Sequence, residues 1–172
     1  KNRGDIFSHD LKVERLEPQK KRLRRAGLDN VRLLEPGTAA ERGPYDAVLV
    51  DAPCLGFGTL RRNPDVVWRG PLAERLASIQ QTQIDCLKQY GALVKPGGVL
   101  VYATCSFEPE ETTDLVARIG EIFPGLSPEP LDRPFDYQGV TGLIQPGQTH
   151  LTMLPSVHGT DGFFMARFRM AK

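Results

Sequence analysis

Two near-continuous apolar runs are the clearest strands in the hydrophobic pattern of the chain. They cover Tyr45–Asp51 and Val99–Thr104. An apolar run without polar alternation is typical of a strand that is covered on both faces, as in a parallel α/β sheet. Because parallel sheets place ligands at the carboxyl edge of their strands, the residues that follow each run are candidates for function.

Helical spacing separates the predicted strands. Residues 11–26 form one helical segment that ends at Gly27, although Pro18 predicts either a break or a second helix start within it. Pro71 opens a second helix, and the acidic segment 108–111 opens a third. The predicted buried face of the second helix consists of Leu72, Leu76, Ile79, Ile84 and Leu87.

Shorter strands complete the alternation of strands and helices. They are predicted at residues 5–10, 31–34 and 162–168, and the Lys95–Gly98 turn ends the second helical unit. Residues 123–159 are rich in Pro and Gly and are expected to form irregular surface connections. The whole pattern predicts a doubly wound α/β domain with a mostly parallel sheet.

Composition excludes several classes of protein. No apolar run approaches the roughly 20 residues that span a bilayer, so a membrane protein is excluded. The first residues lack the apolar stretch of a secretory signal, and three cysteines are too few for a disulfide framework. A reducing, cytoplasmic setting is therefore expected.

Charge is balanced overall but uneven along the chain. There are 22 Lys and Arg against 21 Asp and Glu. Residues 1–34 hold 10 basic and 5 acidic groups, which gives +5, whereas residues 108–136 hold 2 basic and 8 acidic groups, which gives −6. A positive face can thus coexist with a neutral total, although two solvated helix faces explain the same pattern.

Reactive side chains follow both long apolar runs. Asp51 and Cys54 come at the end of the first run, and Cys105 comes directly after the second. In a parallel sheet these three side chains meet at one edge, where a carboxylate beside two thiols can serve nucleophilic and acid–base chemistry. Free cysteines are also common packing residues, and the helical position of Cys86 predicts packing.

Other uses of the cysteines receive little support from the spacing. No pair has the C-x-x-C spacing of a zinc site, and His9, His150 and His158 are scattered. A thiol-based hydrolase or redox enzyme would need a histidine partner in these motifs, and none is present there.

Long strings around these residues resemble RNA cytosine-5 methyltransferases of the Sun/nucleolar-protein family. Two strings that surround the cysteines look like the family's signature loop and nucleophile motif. Two others look like its second cofactor motif and its terminal strand, so the resemblance covers nearly the whole chain. The four strings are 51–69, 95–106 with Glu110 and Glu111, 2–10 with Arg15, Leu16 and 24–27, and 159–166.

The resemblance implies a Rossmann-like fold, S-adenosylmethionine as cofactor and an RNA, expected to be ribosomal, as substrate. By motif match, Cys105 is the nucleophile and Cys54 assists the elimination that releases the enzyme. Asp51 would hold the target cytosine and would also lie at the cofactor. Asp10 and Arg15 match the cofactor-binding string, although Asp10 would equally suit a helix N-cap.

The loop after the first apolar run adds candidate RNA contacts. Arg61, Arg62 and Arg69 could meet phosphates, although a solvated surface would explain the same cluster. Trp68 is expected to anchor the loop by packing rather than to act as a platform for a base.

One departure from the family concerns the cofactor. The family's first glycine-rich motif should lie before Lys1, and it is absent. The chain is therefore expected to be a partial methyltransferase domain, truncated at its N-terminus and without an upstream RNA-binding domain. The competing interpretation is a non-catalytic fragment of the same fold that binds RNA or protein.

Overall fold

The described residues fall into two compact units. The structure is a computed structural model that describes residues 3–131 and 143–172. The first unit ends at Pro44 and the second begins at Tyr45. Strands and helices alternate in both units, which confirms the predicted α/β class.

The first unit holds two short parallel strands joined through a helix. Strand β1 is Ile6–Ser8, helix α1 is Val13–Arg25 and strand β2 is Val31–Leu33. The two strands pair in parallel, and a 3-10 helix at Ala39–Arg42 follows. This is the strand–helix–strand unit that the hydrophobic pattern predicts for the start of the chain.

Helix α1 is continuous, so the predicted break at Pro18 is wrong. Pro18 lies inside the helix. A proline within a helix frees the carbonyl four residues earlier, which here belongs to Glu14. Glu14 is exposed, so water can satisfy that carbonyl, and the helix continues to Arg25.

The second unit carries the two long apolar strands. Three 3-10 helices, at Phe57–Thr59, Pro64–Trp68 and Pro109–Glu111, lie in its loops. Its strands and α-helices are β3 (Tyr45–Asp51), α2 (Leu72–Gly91), β4 (Val94–Thr104), α3 (Thr113–Ala117), α4 (Ile119–Ile122), β5 (Leu126–Pro128), β6 (His150–Met153), α5 (Pro155–His158) and β7 (Phe163–Met170).

The sheet of the second unit has five strands. Its order is β3-β4-β7-β5, and β6 also pairs with β7. Strands β3 and β4 are parallel, whereas β7 runs antiparallel to β4, β5 and β6. Among the described strands of this sheet, three of the four pairings are antiparallel, which is more than a mostly parallel sheet predicts. Strand β7 takes part in all three.

Strand β4 begins earlier than its apolar run. Lys95–Gly98 was expected to be a terminating turn, but it lies inside the strand. The pairing with β3 shifts register here, from Tyr45 opposite Val94 to Ala47 opposite Val99. The irregularity explains how a Pro-Gly-Gly segment is accommodated in a strand, since bulges tolerate residues that a regular ladder does not.

The Pro- and Gly-rich segment from residue 123 to 159 is more regular than expected. It contains β5, β6 and α5, so the prediction of irregular connections is wrong for these parts. Residues 132–142 lie outside the described residues. Both short strands pair with β7, so their regularity depends on a distant strand rather than on local periodicity.

The core lies between helix α2, the sheet and the short helices α3 and α4. Leu87 of α2, Leu100 and Tyr102 of β4, and Phe164 and Phe168 of β7 are fully buried. Strand β4 therefore runs through this core. That strand carries the second cysteine loop.

Three expectations about side-chain packing can be compared with the structure. Cys86 packs against the core, as its helical position predicts. Leu72 is 48% exposed and Leu49 of β3 is 69% exposed. The prediction that Leu72 is buried is therefore wrong, and so is the prediction that β3 is covered on both faces. Among the described helices, none is long and apolar enough to cross a membrane.

Candidate active site

The parallel pairing of β3 and β4 brings the two cysteine loops together. Asp51, the last residue of β3, is opposite Ala103, and the Ala52 amide donates to the Ala103 carbonyl at 2.9 Å. Both loops therefore leave the sheet at the same edge. The Sγ atoms of Cys54 and Cys105 are 3.0 Å apart, and neither cysteine forms a disulfide.

The two thiols differ strongly in acidity. The pKa of Cys105 is lowered to about 7, mainly because the Cys54 thiol donates a hydrogen bond to it, and its own backbone amide contributes. Burial and the charges of Asp51 and Glu111 oppose this shift. The pKa of Cys54 is raised well above its usual range, because its hydrogen bond to Cys105 and its burial both favour the thiol. The opposite directions of the two shifts favour Cys105 as the thiolate of the pair and Cys54 as the hydrogen-bond donor.

A buried carboxylate contacts the loops of both thiols, and no functional role is predicted for it from the sequence. Glu111 is fully buried. One of its oxygens accepts from the Leu55 amide and from Gln83 Nε2, both at 2.9 Å, and the other accepts from Ser106 Oγ at 2.5 Å. Leu55 and Ser106 directly follow the two cysteines, so this one side chain contacts both loops.

Two glycines allow the loops to approach each other closely. The Gly58 amide donates to the Cys105 carbonyl at 2.9 Å, and the Gly162 amide donates to the Gly58 carbonyl at 2.7 Å. A Cβ on Gly58 would lie 2.1 Å from the Gly162 carbonyl oxygen, and one on Gly162 would lie 2.7 Å from Gly58 Cα. Neither position has space for a side chain, because backbone atoms crowd Gly58, and backbone atoms together with the Phe107 ring crowd Gly162.

Asp51 is exposed at the carboxyl end of β3. Its charge acts on Cys105, whose pKa it raises. The structure therefore brings together the three residues that the sequence analysis placed at one edge, Asp51, Cys54 and Cys105. Their proximity follows from the strand register rather than from a local motif.

The other predicted cofactor residues lie in the first unit. Asp10 follows the carboxyl end of β1 and accepts a hydrogen bond from the Lys12 amide at 2.9 Å. Lys12 is the N-cap of α1, so the alternative in which Asp10 itself is the N-cap is wrong. Arg15 lies 3.8 Å from the Asp10 carboxylate. Both side chains are thus neighbours just beyond a parallel strand.

The arginines of the loop after β3 are exposed. Arg62 forms an ion pair with Asp161, and Arg69 pairs with Asp65 at 2.8 Å. Arg61 is exposed on the same loop. Trp68 is 85% exposed, so the prediction that it anchors the loop by packing is wrong. The apolar cluster beneath the loop instead forms around Leu55, Phe57 and Val66.

An open cavity of about 450 Å³ lies beside Cys54. Basic, acidic and hydroxyl side chains line it together with the apolar residues Leu55 and Ile79. Among the described residues, no group of three or more His, Cys, Asp or Glu could hold a metal ion. The lining residues are Cys54, Leu55, Arg69, Glu74, Arg75, Ser78 and Ile79.

Nearly the whole chain matches a known protein family. The family model described as 16S rRNA methyltransferase RsmB/F matches residues 1–169. The chain belongs to the RsmB/F family. This membership confirms the resemblance that the cysteine motifs indicate, and methyltransferases of this family are of the S-adenosylmethionine-dependent type.

Individual relatives agree with the family model. The chain is 35% identical over 99% of its length to a probable ribosomal RNA small subunit methyltransferase B of Synechocystis. It is 30% identical over 98% of its length to a ribosomal RNA small subunit methyltransferase F of Aliivibrio salmonicida. It spans only 38% and 36% of these two proteins, respectively.

A solved structure confirms the Rossmann-like methyltransferase fold. NSun6 from Pyrococcus horikoshii, solved with SFG, aligns with a TM-score of 0.76 and 26% identity. The alignment covers 99% of this chain and 42% of that protein. The predicted Rossmann-like fold is therefore confirmed.

Each unit has a predicted residue that can accept hydrogen bonds from S-adenosylmethionine. In the first unit Asp10 follows a parallel strand, and in the second unit Asp51 ends one. A carboxylate is an acceptor suited to the hydroxyls or the ammonium group of this cofactor. Asp10 uses one oxygen for Lys12, and its other oxygen lies toward Arg15. That second oxygen retains acceptor capacity for a ligand hydroxyl.

Proposed function

We propose that the chain takes part in methyl transfer from S-adenosylmethionine to position 5 of a cytosine in ribosomal RNA, through a covalent adduct on Cys105. The observation that carries this proposal is the pair of unequal thiols, 3.0 Å apart, at the carboxyl edge of the sheet. Membership of the RsmB/F family supports the reaction class and the RNA substrate. A ribosomal RNA substrate also agrees with a cytoplasmic location.

The proposed first step needs a thiolate. Position 5 of cytosine is a weak nucleophile, and addition of a sulfur to position 6 makes it enamine-like. Cys105 suits this role, because its pKa of about 7 leaves a large thiolate fraction at neutral pH. A carbon–sulfur bond forms at position 6, and the electron pair of the ring double bond moves to position 5.

When bound, the cofactor would supply a methyl group on a sulfonium sulfur, and transfer to position 5 would break that carbon–sulfur bond and leave the cofactor as a neutral thioether. The proton of position 5 then passes to solvent water, the electron pair of that C–H bond re-forms the ring double bond, and the bond from position 6 to the Cys105 sulfur breaks. Cys54 assists this elimination, because its S–H donates to that sulfur and so stabilises it as a leaving thiolate. The raised pKa of Cys54 keeps it protonated for this task.

The remaining residues bind and orient in this proposal. Asp51 holds the cytosine at its ring nitrogen or amino edge, since its carboxylate accepts from the amino group, and from the ring nitrogen once that nitrogen gains a proton in the addition, which favours the addition. Asp51 is also a proposed cofactor contact of the second unit, and Asp10 and Arg15 are proposed cofactor contacts of the first unit. The target base must leave its stack to reach the thiols, and its phosphates would meet the loop arginines. These arginines are Arg61, Arg62 and Arg69.

The proposal predicts that Cys54→Ala traps the covalent intermediate. The variant is incubated with the RNA substrate and S-adenosylmethionine, and denaturing electrophoresis then separates free protein from an RNA-linked species. Cys105→Ala and the double variant are the matched controls and should give no linked species. If Cys54→Ala also gives none under conditions in which the parent protein methylates RNA, the assigned roles of the two cysteines are wrong.

A further inference from the structure

Glu111 has no role in the proposed reaction, yet it occupies the centre of the site's hydrogen-bond network. It lies at the end of the 3-10 helix Pro109–Glu111 and is fully buried. Its carboxylate accepts from the residue after Cys54 and from the residue after Cys105, through Leu55 N and Ser106 Oγ. One rigid group therefore spans two loops that are 51 positions apart in sequence.

Further contacts restrict both ends of this connection. Gln83 Nε2 donates to Glu111 and also to the Pro53 carbonyl, each at 2.9 Å. Pro53 and Leu55 are thus both held, one on each side of Cys54. Tyr102 Oη donates to the Glu111 backbone carbonyl at 2.9 Å, which fixes the acid on the core strand β4.

The cost of this arrangement indicates a role beyond stability. A buried carboxylate loses much of its hydration, and apolar residues of similar volume often stabilise a core equally well. What an apolar residue cannot do is accept hydrogen bonds from two separate loops at once. A planar acceptor with two oxygens fixes the distance between those loops.

We propose that Glu111 is a positioning residue that holds the Cys54 thiol within hydrogen-bonding distance of the Cys105 sulfur. The inference rests on the proposed function in that it takes these two thiols as the reacting pair. Gln83 supports Glu111 from helix α2 and holds the same side of the Cys54 loop.

The direction in which the Cys105 pKa changes when Glu111 is removed distinguishes a positioning role from a purely electrostatic one. Through its charge alone, Glu111 raises the pKa of Cys105, as Asp51 does. Through its hydrogen bonds, it keeps Cys54 in place, and the Cys54 contact lowers that pKa. Removing Glu111 therefore lowers the Cys105 pKa if only the charge matters, and raises it if the position of Cys54 matters.

The test measures the pH profile of Cys105 alkylation by iodoacetamide. Peptide mass spectrometry reports modification of Cys105 separately from Cys54 and Cys86, and no RNA or cofactor is added. For Glu111→Ala we expect the midpoint of the profile to rise from about 7 toward the usual range of a free thiol, by about one pH unit or more. Below the midpoint, a rise of one unit reduces the thiolate fraction about tenfold.

Two further variants keep the test decisive. Gln83→Leu changes no charge and should also raise the midpoint, because it removes a donor to both Glu111 and Pro53. Glu111→Gln keeps the shape and an acceptor oxygen but loses the charge, so its midpoint should stay near or below that of the parent. Circular dichroism verifies folding, and either Glu111→Ala or Gln83→Leu suffices for the decision if the other does not fold.

A double variant tests whether the effect of Glu111→Ala on the Cys105 midpoint depends on Cys54. In a Cys54→Ala background, Glu111→Ala has no thiol left to misplace, so it should no longer raise the Cys105 midpoint. A midpoint that falls or stays unchanged in Glu111→Ala and in Gln83→Leu would overturn the positioning role. Because alkylation needs no methyl transfer, this result is independent of whether Cys54→Ala traps RNA.

Discussion

Gly58→Ala tests the close approach on which the geometry of the site depends. The added Cβ would lie 2.1 Å from the Gly162 carbonyl oxygen and 2.8 Å from the Cys105 carbonyl oxygen. Both are backbone atoms, so no side chain can rotate away. The loop that carries Cys54, the loop that carries Cys105 or the start of β7 must therefore move.

The magnitude follows from the contacts that must change. Overpacking a well-packed site costs about 1–3 kcal/mol. Moving Gly58 also breaks its two backbone hydrogen bonds, to Cys105 and from Gly162, at about 1 kcal/mol each. We expect the free energy of unfolding to fall by about 3–5 kcal/mol on this reasoning.

The assay is urea unfolding, with Gly120→Ala as the matched control. Gly120 lies in helix α4 with nothing within 4 Å of an added Cβ. The same substitution there should change the free energy of unfolding by less than about 1 kcal/mol, with a small stabilisation expected. If Gly58→Ala unfolds at the same urea concentration as the control, the three backbone segments are not packed as described and the argument fails.

Three further predictions concern thiol acidity, the core and RNA contacts. Cys105 in the parent protein should be alkylated with a midpoint near pH 7, since thiolate forms as pH rises through its pKa, and Cys54→Ala should move this midpoint upward in the same assay. Phe168→Ala should lower the free energy of unfolding by about 3–5 kcal/mol in urea, because the ring is fully buried; an effect below 1 kcal/mol would contradict its place in the core. Arg61→Ala should weaken RNA binding and reduce the slope of log affinity against log salt by about one in filter-binding titrations, whereas Arg118→Ala, on the segment between α3 and α4, should change neither.

The meeting of the two cysteines was predictable from strand patterns. Both long apolar runs end at residues with reactive side chains, and the parallel register of β3 and β4 places those ends at one edge. Strand burial is a strong signal in a sequence, and the direction of a parallel pair then determines where the loops emerge. The loop motifs indicated the family, and the match of residues 1–169 to the RsmB/F family model confirms it.

The role of Glu111 could not be predicted in the same way. One of its partners, Leu55, is 56 positions away, and another, Gln83, lies on a helix whose periodicity marks only apolar positions. The sequence analysis interpreted the acidic segment 108–111 as a helix start, which the 3-10 helix at Pro109–Glu111 partly bears out. A buried acceptor is recognised only when its donors from other elements are in place.

Two errors of prediction arise from the local environment of a single residue. Pro18 does not break α1, because the carbonyl that it leaves unpaired lies on an exposed face. Trp68 does not anchor its loop, because Leu55, Phe57 and Val66 already form the apolar cluster there. In both cases the prediction followed the usual behaviour of the residue type, a helix break at proline and packing by tryptophan. The surroundings of the residue did not require that behaviour.

The hydrogen bonds from Gly162 to Gly58 and from Gly58 to Cys105 have a consequence for how the protein can be divided. They connect the last strand of the sheet to the backbone of the proposed nucleophile through only two peptide groups. The segment that begins at Gly162 therefore belongs to the candidate active site as well as to the sheet. A fragment that ended before Gly162 would retain both cysteines and yet lose the backbone against which their loops are set.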